Sequence, residues 1–212
     1  MHGVRTRSLY YSSYTNVYHQ GAIDWVPPPH ITDTGPIEFN VSGTGEEYLD
    51  LAKTQVFVKA KITKANGIAL DAEKKVGPVN LFLHSLFSQV DVSLNEWLIS
   101  PSTNTYPYRA MIETLFNYGG DSKSSQLSMA LFYKDTPGNM DVVDPVADDT
   151  DANMGLKARY TFTKQSNTVD MMGPIHSDIF FQDRLILNGV DLRLKLNRTK
   201  KFLLLVLISP WS

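Results

Sequence analysis

Apolar and polar residues alternate with period two in several stretches of the chain, the pattern of strands with one buried face. Ile37, Phe39 and Val41 alternate with polar neighbours. Val56, Val58, Ala60 and Ile62 point opposite to Phe57, Lys59, Lys61 and Thr63, and Val90, Val92 and Leu94 repeat the alternation. The clearest strand comes last, where Val190, Leu192, Leu194 and Leu196 alternate with Asp191, Arg193, Lys195 and Asn197. Turns separate these runs at 43–45, Asn66-Gly67, Asn95-Glu96 and Asn188-Gly189. Asn-Gly pairs suit such turns because both residues tolerate positive φ.

One stretch changes period. Tyr108, Met111, Ile112, Leu115 and Phe116 fall three and four apart and predict a helix with a continuous apolar stripe. Pro107 suits its first turn and Gly119 a left-handed C-terminal cap. Asp121 is placed to cap a second short helix carrying Leu127, Ala130 and Leu131. Two segments stay open between helix and strand. Val79 to Phe87 is apolar without a clear period. In Met154 to Thr163, the residues Leu156, Ala158, Tyr160 and Phe162 fit a strand, while the Leu156–Tyr160 spacing also fits a helix. Val169 to Ile179 reads as extended, interrupted at Gly173-Pro174. A Lys-rich loop leads to Gly77-Pro78, and residues 136–153 form an acidic loop broken by Pro137-Gly138 and Pro145.

These elements divide the chain into three parts. Residues 1–26 are polar, rich in Tyr and Ser, and read as an extended N-terminal arm, although Tyr10, Tyr11, Tyr14 and Tyr18 could line a helical face. Pro27, Pro28 and Pro29 force an extended entry into a domain over 27–199. Residues 200–212 form an apolar tail whose run from Phe202 to Ile208 is far shorter than the ~20 residues of a membrane helix. No secretory signal is read at the N-terminus. The expected fold class is mainly β: an antiparallel jelly-roll β-sandwich with one or two short helices inserted in its loops.

Composition narrows the chemistry. The 212 residues contain no cysteine, which removes disulfides, thiolate metal sites and a cysteine nucleophile. A net charge of -2 provides no field to steer the molecule to nucleic acid or an acidic membrane. The sequons Asn40-Val41-Ser42 and Asn197-Arg198-Thr199 carry no weight without a signal peptide. The histidines His2, His19, His30, His84 and His176 are scattered, with no pair at metal-ligand spacing. His84, among Leu81, Phe82, Leu83, Leu86 and Phe87, reads as a hydrogen-bonded core or interface residue rather than a base. Asp148, Asp149, Asp151 and Asn153 imitate the start of a calcium loop. Met154 stands where an EF-hand needs glycine, and Tyr160 where it needs glutamate, so a solvated loop is expected. Lys74-Lys75 and Arg198, Lys200 and Lys201 are short basic clusters of ordinary surface character. No G-x-S-x-G elbow, P-loop or dinucleotide fingerprint appears. The reading is therefore of a non-enzyme with no catalytic, cofactor-binding or metal-binding residues.

Several ordered stretches go beyond general patterning. They are Gly35-Pro-Ile-Glu-Phe-Asn-Val-Ser-Gly-Thr-Gly-Glu-Glu-Tyr-Leu-Asp-Leu51 with Val56 to Ile62, and Gly77-Pro-Val-Asn-Leu-Phe-Leu-His-Ser-Leu-Phe-Ser-Gln-Val-Asp-Val92. Others are Ile99 to Leu115, Gly173-Pro-Ile-His-Ser-Asp-Ile179 and Leu187-Asn-Gly-Val-Asp-Leu-Arg193. Together, from about Trp25 to Arg198, they resemble the double jelly-roll major capsid proteins of polinton (Maverick) elements and adintoviruses. The resemblance implies the first jelly-roll of a structural subunit of an icosahedral capsid, located in the virion, or a genome-integrated remnant of one. It further implies homotrimeric capsomers of the full-length subunit, contacts with other capsid proteins, and no catalytic residues. The tail after Lys200 departs from the family, as does the arm before Gly21, and truncation would account for the tail. The alternative is a cellular β-sandwich module binding carbohydrate or protein. Trp97, Tyr106, Tyr108, Phe132 and Tyr133 are candidate interface anchors, and sequence does not separate interface from core.

Overall fold

The computed structural model describes residues 35–43, 48–64, 66–148 and 150–199 in full, and the backbone of strands at 10–17, 23–26 and 205–207. Chain order runs β1 (Tyr10–Val17), β2 (Ile23–Val26), β3 (Ile37–Val41), β4 (Leu49–Lys61), β5 (Val76–Pro78), α1 (Phe82–Ser85), β6 (Phe87–Leu94) and β7 (Trp97–Leu98). It continues with α2 (Tyr106–Asn117), α3 (Gly120–Ser124), α4 (Met154–Thr163), β8 (Thr168–Pro174), β9 (Leu192–Arg198) and β10 (Leu205–Leu207). Short 3-10 segments occupy Gln126–Ala130, Lys164–Ser166 and Asp178–Phe181. Outside the described residues lie His2, His19, His30, the prolines at 27–29, Asp149, Lys200, Lys201 and most of the apolar tail.

Strands pair as two four-stranded sheets, β2-β1-β4-β8 and β3-β9-β6-β7, and a ribbon β10-β5. Every pairing is antiparallel. In the second sheet the period-two pattern becomes three cross-strand rows: Ile37–Leu196–Val90, Phe39–Leu194–Val92 and Val41–Leu192–Leu94. In the first, Val58 lies opposite Met171 and Ala60 opposite Val169. The apolar faces of both sheets join one core with Phe82, Leu83, Leu127 and Leu131. Each fully buried Leu, Ile, Val or Phe adds about 1.5–3 kcal/mol, so these rows carry much of the stability.

Most strand expectations coincide with observed strands, but helices corrected the sequence reading in several places. One or two short helices were expected; four α-helices and three 3-10 segments are present among the described residues. Both open segments contain helix. Val79 to Phe87 folds into α1 before entering β6, with Leu81 in the left-handed region at φ 55°. Met154 to Thr163 is α4, started by Asn153, whose side chain accepts from the Leu156 N–H. The proposed cap at Gly119 does not form: α2 ends as Tyr118 turns extended, at φ -113° and ψ 133°. Asp121 caps nothing. It lies in the first turn of α3 behind Gly119, and Leu127 and Ala130 belong to a separate 3-10 turn. The last strand begins at Leu192 rather than Val190. The segment read as an arm places β1 antiparallel against β4 and β2 against β1, and residues 205–207 of the tail pair with β5.

Along β4 the buried positions switch from Leu49 and Leu51 to Thr54, Val56, Val58 and Ala60, with Ala52 and Lys53 exposed between them. The β1 register skips at the same place, from Tyr14 opposite Gln55 to Asn16 opposite Asp50. Such an irregularity bends a strand and reverses which side chains face inward.

Candidate functional site

A buried polar cluster lies under the inner face of α2. Tyr106, Ala110 and Thr114 are the buried residues of this helix, and Arg109 and Glu113 flank them at half-buried positions. The Tyr106 hydroxyl lies 3.0 Å from His84 Nδ1 and accepts from the His176 backbone N–H at 3.4 Å. His176 Nδ1 lies 2.7 Å from Glu113 Oε2, which assigns the ring proton to Nδ1 as donor to the carboxylate. Glu113 Oε1 accepts from Arg109 Nε at 2.7 Å, and Arg109 also bonds Asp178. The two imidazoles meet edge to face with centroids 4.6 Å apart, and Phe181 packs on His176 at 5.5 Å.

Three separate parts of the chain build this cluster. His84 sits on α1, just before β6. His176 follows β8, where Gly173 lets the strand pass close to α1: a Cβ there would stand 2.9 Å from Leu83 Cδ2 and 3.3 Å from His84 Nε2. The third part is the first two turns of α2, in which Tyr106, Arg109 and Glu113 share one side by their spacing.

Electrostatically the cluster is held neutral at its centre. Burial pushes the His84 imidazole well below its ordinary value, and the neighbouring His176 adds to the effect. Burial also lowers His176, against the opposing hydrogen bond to Glu113. Burial raises the Tyr106 phenol far above its usual range. Among these groups His176 Nε2 is buried without a protein hydrogen-bond partner. The Thr114 hydroxyl on the same face of α2 is likewise buried without a partner, while His84, Tyr106, Arg109 and Glu113 are hydrogen-bonded within the cluster, which clamps α2 to α1 and to the end of β8.

A second buried polar junction joins α4 to β5. Arg159 donates to the Pro78 carbonyl at 3.1 Å, to the Tyr133 carbonyl at 2.9 Å and to Asp135 Oδ1 at 3.0 Å. Asn80 completes it, donating to the Tyr133 carbonyl at 2.8 Å and accepting the Tyr133 N–H at 3.0 Å. Burial pulls the guanidinium pKa down, opposed by Asp135. Arginine nonetheless stays charged at any ordinary pH, so this is a paired buried cation.

The structure sorts the sequence candidates. His84 is buried and hydrogen-bonded, and sequence reasoning missed its partner His176, which shares no local motif with it. Of the proposed anchors, Tyr106 and Phe132 are core, Tyr133 is partly buried, and Trp97 and Tyr108 are exposed. In the acidic loop, Asn153 serves α4 as its cap and also accepts the Thr136 N–H at 3.3 Å. No group of three or more His, Cys, Asp or Glu is placed to hold a metal ion among the described residues. Lys75 pairs with Asp144 at 2.6 Å. Among the described residues no helix is long and apolar enough to cross a membrane. An open depression of about 230 Å³ lies on the outer face of the second sheet, lined by Asp91, Ser93, Leu98, Ser102, Arg193 and Lys195.

No family model matches the chain. No solved structure matches it significantly. The chain is 25% identical over 168 residues to an uncharacterized protein of Caenorhabditis elegans. That match covers 76% of this chain and 36% of the relative, so the chain spans about a third of the relative's length.

Proposed function

We propose that this chain is a structural subunit that works by self-association, the first jelly-roll of a double jelly-roll capsid protein of the polinton and adintovirus kind. The observation that carries this reading is the nesting of strand pairs. β3 pairs with β9 and β4 with β8, so the first strands of the domain lie against its last. The two pairs lie in different sheets, the outer pair in the second and the inner pair in the first, as when a long antiparallel ribbon is rolled over a core. The resembling stretches also have a common place. Residues 77–92, 99–115 and 173–179 supply His84, Tyr106, Arg109, Glu113 and His176 of the first polar junction, and Pro78 and Asn80 of the second, whose Arg159, Tyr133 and Asp135 lie outside these stretches. The relative's greater length leaves room for a second roll.

In this reading the polar junctions make a rigid block, and the function lies in the surfaces it presents to neighbours in a virion shell. The test is light scattering and electron microscopy of the 212-residue chain beside a longer product carrying a second roll. The longer product is expected to form trimers and the single roll irregular oligomers without closed shells. Closed icosahedral shells from the 212 residues would refute the half-subunit reading.

A second reading, a sandwich module that binds carbohydrate or protein, is favoured by the depression between Asp91 and Arg193. A monodisperse monomer that binds a glycan, and loses it on Arg193→Ala, would replace the capsid proposal.

A further inference from the structure

Helix α2 is inside out. An ordinary surface helix turns its apolar stripe to the core and its charges to water. Here the only charged residues of the helix, Arg109 and Glu113, turn toward Asp178 and His176. The apolar stripe faces outward: Tyr108 is 56% exposed, Ile112 55%, Leu115 50% and Phe116 84%. Met111 is partly buried between the stripe and the core. Lys123 stands at one end, donating to the Leu115 carbonyl at 2.8 Å. The stripe itself carries no charge.

We infer that the outer face of α2 is a docking surface for a second copy of this chain, in an antiparallel two-fold contact centred on Ile112. Three features select a second copy. The stripe is nearly symmetric about Ile112, with Tyr108 four residues before it and Phe116 four after. Antiparallel packing therefore sets Tyr108 of each copy against Phe116 of the other, and aromatic pairs of this kind add to the stabilisation from burial alone. The face is uncharged, so apposing it to itself creates no like-charge repulsion. A two-fold contact needs one self-complementary patch, and this helix supplies it.

Area sets the strength. The exposed stripe amounts to on the order of 400 Å², the size of a monomer's largest functional patch. It is roughly half of the ~800 Å² that each partner gives to a stable interface. The contact is accordingly a weak one, concentration-dependent and strengthened wherever subunits are already arrayed. It is two-fold, and it stands or falls apart from whether subunits build trimers or shells.

Two measurements on the intact chain test it. Sedimentation velocity across concentrations up to about 100 µM should show a monomer–dimer equilibrium. Ile112→Glu should weaken that equilibrium at least tenfold while leaving the far-ultraviolet circular dichroism and the melting curve unchanged. Independently, the absence of cysteine in the sequence permits single-site crosslinking. Oxidation by diamide, which takes up the two thiol hydrogens as the disulfide forms, should link the Ile112→Cys variant into a covalent dimer. The Ile68→Cys variant, exposed on the turn at the far end of β8, should remain monomeric under the same treatment. A chain that stays monomeric throughout, self-association unaffected by Ile112→Glu, or equal crosslinking at the two positions would overturn the inference. Failure to form shells would leave it untouched.

Discussion

His84 and His176 come from opposite halves of the chain and meet edge to face, with ring centroids 4.6 Å apart. Each is anchored on its Nδ1 side by a residue of α2: His84 by Tyr106 at 3.0 Å and His176 by Glu113 at 2.7 Å. The helix is thereby fastened at its first residue and again about two turns further on.

This pair makes stability depend on pH. Burial depresses both imidazoles in the folded state below the ordinary histidine value of 6.5. Above that value neither state binds the protons, and the full stability is present. As pH falls below it, the unfolded chain takes up protons that the folded chain refuses, so stability falls until the folded values are reached. The slope is at most about 1.4 kcal/mol per pH unit for each group. Urea unfolding between pH 8 and pH 5 should show this decline, and His84→Gln should flatten it. An equal slope in the variant would show that other groups set the dependence.

Leu194→Asp should abolish folding while Lys195→Asp is tolerated. Leu194 sits in the buried row between Phe39 and Val92, where an unpaired carboxylate costs several kcal/mol. Lys195 points outward, 3.7 Å from Glu38, in a surface pair worth less than about 1 kcal/mol. Soluble yield and urea midpoints of the two variants separate the outcomes. Equal losses would place β9 in the wrong register.

Arg159→Ala should cost about 3–5 kcal/mol, because Asp135 and the Pro78 and Tyr133 carbonyls lose their shared donor together. Arg159→Lys should recover little of it, since one ammonium does not reproduce the planar fork. Full rescue by lysine, measured by equilibrium denaturation, would mean that charge alone matters there.

Two helical glycines should respond in opposite ways. A Cβ on Gly155 would stand 2.7 Å from the carbonyl oxygens of both Lys134 and Tyr133, so Gly155→Ala should destabilise by about 1–3 kcal/mol. Gly120, with nothing within 4 Å, should accept alanine with a gain of up to about 1 kcal/mol in helix propensity. Thermal melts of the two variants should move in opposite directions.

Local periodicity alone determined much of the sheet scaffold. The inward faces of β3, β6 and β9 follow from period two, because a strand's faces are set by its own pleat, whereas the pairing that joins them into rows does not. The position of α2 was equally legible from its three-and-four spacing. Other features needed the tertiary structure. Leu156, Ala158, Tyr160 and Phe162 satisfy both periods, and the helix forms where Asn153 caps it and its buried face, through Leu156 and Arg159, meets β5. Gly119 had the right identity for a left-handed cap, but the chain leaves α2 extended. The His84–His176 pair was invisible because their proximity depends on how β8 passes α1, and no local spacing encodes that approach. The outward stripe of α2 is the sharpest case. Amphipathicity tells that a helix has an apolar face, and only the packing of Tyr106, Ala110 and Thr114 against the core decides that this face points away from it.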